Sequence, residues 1–136
     1  MGTHTGIWLD YKQAFVINLN HEHVEMEQIA SNIEDFHVKG GSRSKEPWGP
    51  MDKNSDTKYL ERRNHQIAAF VDVLKNKVKD SQELYIFGPA EAKISLEKAI
   101  LEDKNFKPQL LSVETSGQLT ENQMIAKVKE FFHFIH

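Results

Sequence analysis

The chain has 136 residues, of which 39% are hydrophobic and 27% charged, and its formal net charge is −3. That length allows one sizeable core, and the composition is typical of a globular protein rather than a disordered one. Cysteine is absent, which excludes disulfides, thiol catalysis and cysteine-bound zinc. Residues 1–10 lack the pattern of a signal peptide, and no apolar run approaches the roughly 20 residues that span a bilayer. We therefore expect a single cytoplasmic domain over residues 1–136.

Residues 6 to 29 predict three short strands. A short apolar run ends at Asp10, residues 15–19 are rich in β-branched and aromatic types, and residues 24–29 alternate along the chain. Such patterns are typical of strands, and the links between them have hairpin length. We therefore predict an antiparallel three-stranded meander at the start of the fold.

Regular patterning then stops between about residues 36 and 59. Glycine and proline punctuate this polar stretch, at Gly40, Gly41, Pro47, Gly49 and Pro50. A structureless stretch of this length is uncommon inside a compact domain and is usually functional or disordered. We therefore predict a long loop at about 36–59.

Strand and helix patterns alternate after this loop. Apolar residues at helical spacing predict a helix from Leu60 to Val78, and Pro89 suits the first turn of a second helix. Thr120 and Gln123 have the spacing of a capping box that opens a third helix. Short apolar runs at residues 84–87 and 110–113 predict the intervening strands. The resulting order is β-β-β-loop-α-β-α-β-α, an α/β fold with a mixed sheet whose later strands are parallel.

The predicted loop and the start of the next helix are basic. Seven Lys and Arg residues oppose four Asp and Glu residues here, so the segment is about +3 in a chain that is −3 overall. Clustered basic residues beside a tryptophan that can stack on bases are typical of RNA contact, although a merely solvated loop is an equally open interpretation. The predicted RNA-binding residues are Lys39, Gly40, Gly41, Ser42, Arg43, Lys45, Trp48, Lys53, Lys58, Arg62 and Arg63.

Two other places offer candidate chemistry. Gly88 precedes a predicted helix N-terminus that carries Lys93 about one turn in, which is a possible anion site, although a structural turn is favoured. Asp10 and Glu114 stand at predicted strand ends and are the metal ligands of an alternative hypothesis, a divalent-metal-dependent nuclease or phosphohydrolase. Three or four convergent carboxylates would be needed, and the sequence shows no convincing others. We therefore expect no cofactor and, on balance, no enzyme.

Four segments, in this order, resemble the middle domain of Pelota and of the archaeal–eukaryotic class 1 release factors. The opening hairpin at residues 6–19 and the loop and helix at residues 35–64, with Gly40-Gly41-Ser42, are similar to that domain. So are the strand–helix turn at residues 86–93 and the sequence after the last strand, at residues 114–117. The resemblance covers most of the chain and implies a ribonuclease H-like three-layer fold, which agrees with the predicted element order.

The resemblance also implies a role in translation. In release factors the corresponding loop carries Gly-Gly-Gln and promotes hydrolysis of the peptidyl ester, whereas Ser42 stands third here, so release activity is not implied. Pelota lacks that motif too, and its family role is ribosome rescue. We therefore expect a non-catalytic factor that associates with the ribosome or RNA through the basic loop, does not associate with membranes, and could form a homo-oligomer.

Overall fold

The computed structural model describes residues 3–20, 23–34, 50–89 and 91–135, with the side chains of residues 50–57, 134 and 135 left out of the description. Five strands and three helices are assigned in these ranges. In chain order they are β1 (His4–Leu9), β2 (Gln13–Asn20), β3 (His23–Ala30), α1 (Pro50–Val78), β4 (Glu83–Gly88), α2 (Ala92–Glu102), β5 (Gln109–Thr115) and α3 (Glu121–Ile135).

The strands form one mixed sheet in the order β3-β2-β1-β4-β5. β1, β2 and β3 pair antiparallel, whereas β4 pairs parallel with both β1 and β5. Three antiparallel strands therefore come first and helix–strand units follow. The predicted architecture, an α/β three-layer domain with a mixed sheet that begins with three antiparallel strands, is confirmed.

Helices cover both faces of the sheet, which creates two cores. On one face, Ile7 and Ile86 of the central strands pack with Leu74 of α1 and Leu96 of α2. On the other face, Trp8 packs with residues of α3. Residues 7–9 of β1 and 84–87 of β4 form continuous apolar runs because neighbouring residues of each run enter opposite cores. Within the described part of the chain, no helix combines the length and the apolar character needed to cross a lipid bilayer.

The predicted start of α1 was wrong. The helix begins at Pro50, so residues 50–59, the last part of the predicted loop, are helical in their backbone. Proline is favoured in the first helical turn, and neither glycine nor a second proline follows to end the helix. Among the residues of α1 whose side chains are described, 58–78, the buried ones all lie between Phe70 and Val78. The sequence before Leu60 carries no apolar stripe from which a helix could be predicted.

The predicted start of α2 needs a small correction, whereas the predicted capping box at the start of α3 is confirmed. α2 begins at Ala92 rather than at Pro89, since Gly88 and Pro89 form the turn that leaves β4. At α3, the Thr120 amide donates to Gln123 Oε1 at 2.9 Å and the Gln123 amide donates to Thr120 Oγ1 at 3.1 Å. This reciprocal pair is the predicted capping box.

Candidate nucleic-acid interface

The basic part of α1 extends beyond the sheet on the side where β1 and β4 end. A helix of 29 residues is about 43 Å long, whereas strands of six residues span roughly 20 Å. The C-terminal half of α1 covers the sheet. The preceding turns, which carry Lys58, Arg62 and Arg63, therefore lie near the turn after β1.

Arg63 contacts this turn directly. Its guanidinium lies over the ring of Tyr11, 4.8 Å from the centroid, in a cation–π arrangement. The Arg63 Nε also donates to the Glu34 carbonyl at 3.3 Å. The side chain is partly buried, and both contacts limit its orientation.

Glu34 fastens the segment after β3 to α1. Its carboxylate accepts two hydrogen bonds from Arg62, from Nε and from Nη2, the latter at 2.9 Å. Gln66 completes the arrangement, because its Nε2 donates to Glu34 Oε2 at 3.1 Å and its Oε1 accepts from the Glu34 amide at 2.9 Å. We call Glu34, Arg62, Arg63 and Gln66 the Glu34 clamp. The clamp holds the chain at the residue before 35–49, the undescribed part of the predicted loop.

Arg62 also sets the ionisation of Glu34. The hydrogen bonds and charge of its guanidinium hold the pKa of Glu34 below the ordinary value of 4.5. A carboxyl group whose pKa is lowered by folding stabilises the fold above its unfolded pKa. That contribution disappears as the pH falls through the lowered pKa. The clamp therefore adds to stability at neutral pH and loses this contribution in acid below about pH 4.5.

We expect Arg62→Gln to raise the pKa of Glu34 towards its ordinary value, because the amide retains neither the charge nor the paired donors of the guanidinium. The Glu34 carboxyl resonance, followed by NMR during an acid titration, measures this shift. Arg62→Lys is the matched variant and should retain part of the lowering, since it keeps the positive charge. An unchanged Glu34 pKa in Arg62→Gln would show that the ion pair does not exist in solution.

The structure brings together part of the predicted RNA-binding set. Arg62 and Arg63 converge on Glu34, and Lys58 is exposed one turn earlier on α1. The side chain of Lys53 lies outside the described residues. So do the remaining members, Lys39, Gly40, Gly41, Ser42, Arg43, Lys45 and Trp48.

Gly88 and Lys93 of the predicted anion site occupy structural positions. Gly88 has a φ of +151°, and a Cβ atom there would lie 2.3 Å from the Leu9 carbonyl oxygen. Glycine is therefore explained by the close approach of β1 and β4. Lys93 is 6% exposed, so burial restricts its access to a ligand from solvent. These features favour the structural turn.

Asp10 and Glu114, the metal ligands of the alternative hypothesis, each have structural hydrogen bonds. Asp10 Oδ1 accepts from the amides of Lys12 and Gln13 at 2.8 and 2.9 Å, which closes the turn between β1 and β2. Glu114 Oε1 accepts from the hydroxyl of Tyr85 at 2.7 Å. Burial, and then this bond to Glu114, raise the pKa of Tyr85, so the hydroxyl stays a donor.

Asp10 directly follows β1, whereas Glu114 lies in β5. β4 lies between β1 and β5, and each neighbouring pair of strands is about 4.8 Å apart. The two carboxylates are therefore separated by the width of β4, and each accepts its own hydrogen bonds. In the described ranges, no group of three His, Asp or Glu side chains is placed to hold a metal ion.

Glu34, Gln66 and Tyr11 were missed as members of the candidate interface. Glu34 lies 28 residues before Arg62, so no helical or strand spacing connects them. The aromatic character of Tyr11 beside a predicted turn was the one local signal, and it does not indicate a partner.

Comparison with known proteins adds a distant likeness of fold. No protein-family model and no curated protein sequence matches the chain. Among solved structures, an archaeal translation termination factor, aRF1, is similar over 97% of this chain, with 14% sequence identity and a TM-score of 0.45. The chain spans 39% of the length of that protein. A likeness at this level describes the arrangement of helices and strands and carries no conclusion about activity.

Proposed function

We propose that this chain is a non-catalytic RNA-binding factor that acts on the ribosome, with the basic segment from Lys39 to Arg63 as its contact surface. The observation that carries the proposal is the pair of oriented arginines at the C-terminal end of this segment. Arg62 and Arg63 are adjacent in α1 and both are held by Glu34. They end a segment that is about +3 in a chain of −3.

Prior orientation favours phosphate binding by these arginines. Glu34 engages Nε and Nη2 of Arg62, and the guanidinium has five N–H donors, so others remain for a phosphate. A side chain that is already ordered loses less conformational entropy when it binds. The partial neutralisation of Arg62 by Glu34 weakens its attraction for a phosphate, so we expect Arg63 and Lys58 to contribute comparably.

Non-catalytic action is favoured by the hydrogen bonds of Asp10 and Glu114, which give both carboxylates structural roles. The translational part of the proposal rests on the sequence resemblance to Pelota and release-factor middle domains. Ser42, in place of the glutamine of release factors, supports ribosome association without ester hydrolysis. A cytoplasmic location follows from such a role and is part of the proposal.

Two variants with reversed charges, one in the proposed surface and one elsewhere, test this proposal. We expect Glu substitutions at Arg43, Lys45, Arg62 and Arg63 together to weaken cosedimentation with ribosomes by about 100-fold, because each reversal removes a phosphate contact and adds a repulsive charge. The dependence of the logarithm of the binding constant on the logarithm of salt concentration should also fall, by about one per lost contact. Measurements at about 50 and 200 mM salt determine both quantities.

The matched control changes the net charge by the same amount elsewhere. Lys79, Lys104, Lys107 and Lys129 are all exposed and lie outside the proposed surface, and their reversal to Glu should reduce binding much less. Circular dichroism of both variants verifies that they fold. If both sets weakened ribosome binding equally, the effect would come from net charge alone, which would contradict the assigned surface. Absence of ribosome binding by the parent protein at either salt concentration would contradict the function itself.

A further inference from the structure

One flank of α2 exposes large apolar side chains beside charged ones. Ile94 is 49% exposed and Leu101 is 68% exposed, although both belong to a helix that packs on the sheet. Residues seven positions apart lie on the same face of a helix, and Glu97 and Lys98 lie between them on that face. We call these four residues the α2 flank.

Three of the four residues of the α2 flank lie outside the contacts of α2 with the core and with α1, and Lys98 lies at the rim of the groove between α2 and α1. The buried side of α2 carries Ala92, Leu96 and Ile100. The groove between α2 and α1 is lined from α2 by Ser95, Lys98, Ala99 and Glu102. Ile94 and Leu101 belong to neither set and are exposed, and Glu97 between them is partly buried. Since β5 is an edge strand, no further strand of the sheet lies beyond it.

The charges of the flank lack partners within the described part of the chain. Neither Glu97 nor Lys98 takes part in an ion pair or a side-chain hydrogen bond with another described residue. Exposed charges are ordinary on a protein surface. An unpaired acid and an unpaired base, adjacent in sequence and flanked by exposed apolar residues, are better explained by a complementary surface.

The order of these residues makes the flank complementary to itself. When two copies of α2 lie antiparallel about a two-fold axis between positions 97 and 98, Ile94 of one copy faces Leu101 of the other. The same axis places Glu97 of each copy opposite Lys98 of the other. Two apolar pairs and two ion pairs then form from one patch, as an isologous interface requires. In a parallel arrangement, Glu97 of one copy would instead face Glu97 of the other.

We propose that this protein forms a two-fold homodimer through antiparallel contact of the α2 flank. The neighbouring edge of β5, where Leu110 and Val113 are partly buried, extends the contact. A helix of 11 residues is only about 16 Å long. A stable interface buries about 800 Å² per partner, so the β5 edge has to contribute area. We expect a dissociation constant on the order of micromolar. The dimer does not depend on RNA binding.

Sedimentation velocity of the full chain without RNA, from about 1 to 500 µM, tests the dimer. We expect Leu101→Glu and Ile94→Glu each to raise the dissociation constant at least about tenfold, because each places a charge in the apolar part of the contact. Leu60→Glu is the matched control, since Leu60 is a similarly exposed apolar residue on α1. It should leave the dissociation constant unchanged. A parent protein that stays monomeric throughout, or a dimer that Leu101→Glu does not weaken, overturns the proposal.

A charge exchange tests the antiparallel geometry. Glu97→Lys alone and Lys98→Glu alone should each weaken the dimer, because each places like charges opposite one another. The double variant E97K/K98E restores opposite charges across the axis and should bring the dissociation constant back to within about threefold of the parent value. Circular dichroism confirms folding of every variant. A double variant as weak as the two single variants overturns the assigned pairing.

Discussion

Replacing Gly88 with alanine will lower the free energy of unfolding by about 3 kcal/mol or more. The added Cβ would lie 2.3 Å from the Leu9 carbonyl oxygen, closer than any real contact of that kind. The backbone of Gly88 also has a φ of +151°, a conformation that costs other residues of order 1–3 kcal/mol. Because the obstructing atom belongs to the backbone, relief requires β1 and β4 to separate, and these strands are the centre of the sheet.

Urea unfolding of Gly88→Ala, followed by circular dichroism, measures this loss. Gly117→Ala is the matched control, because nothing lies within 4 Å of the Cβ position at Gly117, and its stability should stay within about 0.5 kcal/mol of the parent. A Gly88→Ala protein that unfolds at the parent midpoint would show that β1 and β4 do not approach so closely. That result would also remove the structural explanation for glycine at this turn.

Shortening Leu74 to alanine will cost about 2–5 kcal/mol, the range observed for deletion of a buried leucine side chain. Leu74 is 0% exposed and contacts the core between α1 and the sheet. The change removes buried apolar surface and leaves a cavity that the surrounding strands fill only in part. The fully buried residues in the described side chains of α1 lie between Phe70 and Val78, so this section supplies the main apolar contact of the helix with the sheet.

The neighbouring residue provides the control. Val73 is 43% exposed, and Val73→Ala should change stability by less than about 1 kcal/mol, partly because alanine is the better helix former. Thermal unfolding of the two variants under the same conditions gives the comparison. Equal losses of stability in the two variants would contradict the assignment of the Leu74 face of α1 to the sheet.

Leu74→Ala should leave the proposed ribosome binding intact. Folded Leu74→Ala retains every residue of the basic segment, so its ribosome binding should equal that of the parent at temperatures where it is fully folded. The charge-reversed variant should behave in the opposite way, with weak binding and a smaller loss of stability, which comes from the Glu34 clamp. Substitutions in the C-terminal half of α1 should therefore affect mainly stability, and substitutions in its basic half mainly ribosome binding.

The number, type and order of the helices and strands around the long loop could be predicted from local sequence patterns. Strands with side chains in two cores are continuously apolar, and a helix on one core has an apolar stripe, so burial is visible in local patterns. The Thr120–Gln123 capping box was predictable for the same reason, since both partners lie within one helical turn. The start of α1 at Pro50 was not predictable, because no apolar stripe in residues 50–59 identifies these turns as helical.

The contacts of the candidate residues became visible only in the tertiary structure. Gly88 is required by a carbonyl of Leu9, and Arg62 is held by Glu34 from 28 residues earlier. Each of these partners is distant in sequence. The pairing of β1 with β4 brings Gly88 to Leu9, and the contact of α1 with the segment after β3 brings Arg62 to Glu34. Side-chain pattern reports whether a residue is buried, but the identity of its neighbour depends on which strands lie side by side.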